Sequence, residues 1–134
     1  MQMWPLIDRI DIHTEVKPVK YSDLAKDNKN VETSKDIRKR VNRARQLQVE
    51  RYKGDNIFSN AELDSGNIER HCKLNQSSRN LLEQAFNNLG LSARAYNKIL
   101  KVSRTIADLE ESESVKDKHI AEAIQYRSLD RKYW

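Results

Sequence analysis

Apolar residues recur at helical spacing through most of this chain. Over about residues 34–53, Ile37, Val41, Ala44 and Leu47 keep one face apolar, and Thr33 stands three residues before Asp36 in the form of a capping box. Gly54-Asp55-Asn56 ends that helix, and Ser65 is placed to cap a short one running from Ile68 to Cys72. Asn75 caps the next, about 76–89, in which Leu81, Leu82, Ala85, Phe86 and Leu89 precede Gly90, a residue suited to a left-handed stop. Ser92 caps the longest amphipathic segment, about 93–110, with Tyr96, Ile99, Leu100, Ser103, Ile106 and Ala107 on its stripe. A last helix over about 116–127 uses Ile120, Ala123, Ile124 and Arg127. Short-linked helices with one wet face each can bury their stripes only against one another, which predicts a small bundle.

Near the start the period changes to two. Ile10, Ile12 and Val16 alternate with Asp11, His13 and Glu15 before Lys17-Pro18, which predicts a strand. One strand cannot make a sheet, so its partners would come from another chain or from sequence outside this one. Residues 17–33 lack periodicity and read as a mobile connector. The expected fold class is mostly α: a small helical bundle preceded by one orphan strand and a connector.

Composition agrees with one helical domain. The chain has 134 residues, 37% of them hydrophobic, and its 3 glycines and 2 prolines leave little turn chemistry for a sheet-rich protein. No run approaches the roughly 18 apolar residues of a membrane-spanning helix, and no secretory signal pattern opens the sequence. A single cysteine, Cys72, fits a reducing compartment, so a cytoplasmic location with no membrane partner is expected. The net charge of +5 comes largely from residues 34–53, where eight basic residues face two acidic ones. Within that segment Arg38, Lys39, Arg40, Arg43 and Arg45 are the candidate nucleic-acid contacts. No aromatic residues interleave with them to stack on bases, so such binding would be sequence-independent and salt-sensitive. The plainer alternative is a solvated or docking face.

Several chemistries are missing. A phosphate-cradling GxxxxGK[ST] loop is absent, as is an apolar strand ending in an acidic pair for Mg²⁺, so the chain alone is not expected to hydrolyse a nucleotide or to hold a cofactor. His13, His71 and His119 are scattered, which argues against a metal site. Two arginines stand out. Arg94 falls in the first turn of a helix, just behind its Ser92 cap, where a cation gains little unless an anion is near. Its ordinary alternative is a bond to a carboxylate of its own domain. Arg9 sits between Asp8 and Ile10 at the start of the predicted strand.

Four stretches carry a resemblance: PLIDRIDIHTEV (5–16), IRKRVNRARQLQVERYKG (37–54), LGLSARAYNKILKVSRTIADLE (89–110) and HIAEAIQYRSLDRKYW (119–134). In order and spacing they resemble the C-terminal part of the magnesium-chelatase-like AAA+ ATPases of the bacterial ComM/YifB type. The sequence departs from that pattern at Met3-Trp4-Pro5, where the family has Ser-Gly-Pro. The resemblance implies that residues 1–33 are a remnant strand of the AAA+ core and a connector, and residues 34–134 the helical lid that leans over the nucleotide. It implies that Arg94 is the sensor-2 residue and Arg9 the arginine finger that completes a neighbouring subunit's site. ATP and Mg are implied for the parent protein, with the rest of the AAA+ module and neighbouring subunits of a ring as partners. DNA is implied as what the parent acts on. A free-standing basic nucleic-acid-binding module and an assembly adaptor are the alternatives.

Overall fold

A computed structural model describes residues 4–26 and 30–127 of the chain. Seven α-helices occur among them: α1 (Trp4–Arg9), α2 (Tyr21–Leu24), α3 (Ser34–Arg51), α4 (Ile68–His71), α5 (Gln76–Leu89), α6 (Ala93–Leu109) and α7 (Asp117–Gln125), with a 3-10 turn at Asn60–Glu62. The bundle is built round α6, which packs against α7, α3, α4 and the 3-10 turn, while α5 closes on α7. Ile99, Leu100 and Ala107 of α6 are buried with Leu82, Ile120, Ala123, Tyr52, Leu63 and Ile68. Cys72 belongs to the same core, and burial pushes its thiol up to about 11, so it stays a packed thiol rather than a nucleophile.

The caps explain where the helices start and stop. Thr33 and Asp36 form the reciprocal box, the Asn75 side chain accepts from Ser78 N at 2.7 Å, and Ser92 Oγ accepts from Ala95 N at 3.1 Å. Gly90 closes α5 at φ 61°, where a Cβ would be strained. The short α4 differs from expectation at its start. Its N-cap is Asn67, because Asp64 Oδ1 takes the amides of Gly66 and Asn67 in a turn that leaves Ser65 no capping role.

The orphan strand does not form. No strand occurs among the described residues; PLIDR instead winds into α1, and the chain beyond Ile10 runs without regular structure to Lys20. A ladder needs a second backbone, and none is offered here. Ile7 is buried against the bundle, while Ile10, Ile12 and Val16 remain 45%, 48% and 87% exposed. Helix α3 also departs from its predicted packing. Ala44 and Gln48 are buried, but Ile37 and Val41 are 43% and 42% exposed, and residues 34–43 all face solvent. The first half of α3 stands off the bundle.

At the junction of α6 and α7, His119 is fully buried. Its Nδ1 accepts the Lys116 N–H at 2.9 Å, so the proton sits on Nε2 and is donated to Glu110 Oε2 at 2.8 Å. Lys118 and His119 together hold the Glu110 carboxyl at about 2, against an ordinary value of 4.5. The folded state therefore favours the carboxylate, and this stabilisation is complete above about pH 4.5 and disappears as the pH falls toward 2. The wild-type urea midpoint is expected to drop more between about pH 5 and about pH 2.5 than that of Glu110→Gln. Equal drops in the two chains would remove Glu110 from the acid response.

Candidate functional site

An open cleft of about 1220 Å³ runs along α6, between that helix, the segment after α1, and α3. Its cations come from Arg9, Arg40, Arg94, Lys98 and Lys101, its apolar floor from residues such as Val102, Ile106 and Leu109, and its acidic and phenolic lining from Asp11, Glu110, Glu122 and Tyr126. Arg94 and Glu110 stand at opposite ends of α6, roughly 25 Å apart at 1.5 Å per residue. Acids line it along its length, Asp11 beside Lys98 and Glu110 at the C-terminal end of α6, while Arg9 and Arg94 lie toward the N-terminal end. The Tyr126 hydroxyl donates to Glu122 at 3.1 Å, which pushes the tyrosine up and keeps it a neutral phenol beside that carboxylate.

Arg94 is exposed in the first turn of α6 and has no ion-pair partner among the described residues. The anion that does complement the start of α6 is Asp8, whose Oδ1 receives the Ser92 hydroxyl proton at 2.6 Å. Arg9, at the last position of α1 rather than on a strand, is exposed as well and also has no ion-pair partner among the described residues. Its main chain is held: Lys98 Nζ donates to Arg9 O at 2.9 Å and also pairs with Asp11. The two arginines nominated from sequence therefore line one cleft, although they are far apart in sequence.

The basic set on α3 divides. Arg40 pairs with Glu32 and contributes to the cleft, and Arg43 Nε donates to Glu111 at 2.7 Å. Arg38, Lys39 and Arg45 are exposed without an ion-pair partner among the described residues. Lys98 and Lys101 escaped sequence reasoning, yet the signal was there, since they follow Arg94 at i+4 and i+7 on one helical face. The buried polar cluster beside the cleft was missed too. Asp108, 1% exposed, is clasped by Arg51 and Arg104, and Asn60 Nδ2 donates to it at 2.9 Å. Guanidiniums on an open cleft suit the oxygens of a phosphate chain, which Arg can bind two at a time. No group of three His, Cys, Asp or Glu side chains among the described residues is placed to hold a metal ion. The three histidines are engaged elsewhere, His13 with Ile7 O at 2.8 Å, His71 with Asp55 at 3.2 Å and His119 with Glu110. No described helix is long and apolar enough to cross a membrane. Residues 128–134, the close of the fourth resembling stretch, lie outside the described residues, as does Met3.

Comparison with known proteins accords with this architecture. Residues 31–127 match the family described as magnesium chelatase, subunit ChlI C-terminal. Over 127 residues, 95% of this chain, the sequence is 45% identical to the competence protein ComM of Haemophilus influenzae and 39% identical to the uncharacterized protein YifB of Escherichia coli. In both cases the match covers 24% of the relative, so the chain spans about a quarter of the length of the curated relatives it matches. With most of its length matched by that family, the chain belongs to the magnesium chelatase ChlI C-terminal domains.

Proposed function

We propose that this chain is the lid of a magnesium-chelatase-related AAA+ ATPase, in which Arg94 and Arg9 bring positive charge to the phosphates of ATP. The observation that carries this reading is the shared cleft: both guanidiniums line it, and neither has an ion-pair partner among the described residues. Phosphoryl transfer spreads negative charge over the phosphate oxygens, and positioned guanidiniums lower the barrier by meeting that charge where it develops. The nucleotide and its magnesium are held by the remainder of the ATPase, and the lid moves as the contact of Arg94 with ATP gives way to that with ADP. Neighbouring subunits of a ring share the site, with Arg9 serving as the finger. The likeness to a protein named for competence supports DNA processing as the work that hydrolysis drives. ATP turnover by Arg94→Ala and Arg9→Ala variants of the ATPase carrying this domain tests the reading.

A second reading is favoured by α3, whose first half stands off the bundle with Arg38 and Lys39 exposed and Arg45 following. Here the helix is a sequence-independent contact to the backbone of DNA, either in the ATPase or as a free-standing module. Duplex binding by the chain is expected to weaken steeply with salt, and charge removal in Arg38→Gln/Lys39→Gln/Arg45→Gln to reduce the salt slope by about 0.9 for each phosphate no longer neutralised. An unchanged slope in the triple variant would sink this reading of α3.

A further inference from the structure

We infer that Asp8, Asp11 and Lys98 clamp the Arg9 segment onto α6, so that Arg9 and Arg94 move as one rigid unit. The main chain on both sides of Arg9 is pinned while its side chain is left out. Before it, Ile7 is buried, and Asp8 accepts from the Ser92 cap of α6 at 2.6 Å with Arg127 3.8 Å away. At Arg9 itself, the carbonyl receives Lys98 Nζ at 2.9 Å. After it, Ile10 O accepts from the Arg127 guanidinium, Asp11 pairs with the same Lys98, and His13 N donates to Tyr126 O at 2.7 Å.

A segment that merely packed would have no reason to hold four successive residues and release the charged side chain among them. Main-chain fixation with a free guanidinium is the arrangement a positioned catalytic cation requires, because its rotamers are then the only freedom left to settle on binding. The anchors also sit where Arg94 sits: Ser92 is two residues before it and Lys98 one helical turn after it. Any displacement of α6 therefore carries the Arg9 backbone with it. Asp8 and Lys98 are positioning residues in this scheme and act through Arg9. That functional consequence rests on the ATPase reading above, while the clamp itself does not.

Two measurements separate the clamp from its consequence. In hydrogen exchange on the whole chain, the amides of Ile10 and His13, bonded to Ile7 O and Tyr126 O, are expected to be protected. Lys98→Met should cut that protection at least about tenfold while the central amides of α6 keep theirs. Asp8→Asn, which changes no residue of α6 and keeps an oxygen to accept from Ser92, should act alike, so it decides the matter where Lys98→Met loosens α6. Exchange of residues 10–13 at free-peptide rates in the wild type overturns the clamp. In the ATPase carrying this domain, Lys98→Met is expected to lower turnover about tenfold when Arg9 is present and not at all in an Arg9→Ala background. Equal losses in the two backgrounds overturn the positioning role and leave only a structural one. If Arg9→Ala alone leaves turnover unchanged, the ATPase reading of Arg9 falls, and the exchange data still decide the clamp.

Discussion

Replacing Asp108 with asparagine is expected to destabilise the chain by about 3–5 kcal/mol, the range for removing one partner of a buried ion pair. The carboxylate is 1% exposed and carries most of a polar cluster inside the bundle. Arg51 reaches both of its oxygens, Arg104 Nε donates to Oδ1 at 3.2 Å, and Asn60 Nδ2 donates to Oδ2 at 2.9 Å. Asparagine keeps the shape but offers one acceptor oxygen and two competing donors, so a guanidinium in a dry site loses its counter-charge. The other Arg104 hydrogen bonds, to Ser112 O at 2.7 Å and Glu113 O at 3.1 Å, cannot replace that charge. Urea unfolding followed by circular dichroism measures the loss. A change under about 1 kcal/mol would mean that water enters the cluster and screens it. The triple replacement Arg51→Met/Arg104→Met/Asp108→Leu should recover much of the stability, since apolar residues of similar volume leave no guanidinium without its counter-charge.

The same cluster shows what could be read from sequence and what could not. Helices α5 and α6 were legible because Asn75, Gly90 and Ser92 punctuate them and their apolar stripes keep a period of 3.6. Arg104 and Asp108 were legible as an i,i+4 pair, but their burial was not, since it depends on Arg51 and Asn60 arriving from α3 and the 3-10 turn. The Ile37 and Val41 positions fit a stripe that the fold never covers; periodicity records what a helix could bury and says nothing about whether a partner is there. The strand failed for the same reason in reverse. Alternation at Ile10, Ile12 and Val16 describes a face for a sheet, and without neighbouring backbone the preceding PLIDR took the locally satisfied state, a turn of helix docked through Ile7 and Asp8. The arginines were legible as residues. Their common cleft was not, because it rests on the docking of α1 against α6, two elements far apart in sequence.

That docking sets the expectations for catalysis. In the ATPase carrying this domain, Arg9→Ala is expected to lower turnover about 10³-fold, the lower end of what an arginine finger contributes. Arg94→Ala should lower it about 100-fold, the effect of removing one positioned donor from a developing oxyanion. If Arg9, as proposed, meets charge that grows only in the transition state, its loss should appear in kcat with ATP affinity nearly unchanged. Arg94, if it senses bound ATP as proposed, should also change the preference for ATP over ADP. Arg94→Lys should recover part of the rate, since a lysine keeps the charge but cannot hold two oxygens at fixed spacing. If both guanidiniums address one phosphate chain, as proposed, the double variant should lose less than the product of the two single losses. Mixing provides the decisive arrangement: subunits lacking Arg9 but able to bind ATP, combined with subunits that retain Arg9 and cannot bind it, should regain activity if the finger works across an interface. Turnover within about twofold of wild type for both single variants would leave the cleft without its proposed ligand, because a hundredfold loss corresponds to about 2.7 kcal/mol of barrier and a twofold one to less than about 0.5.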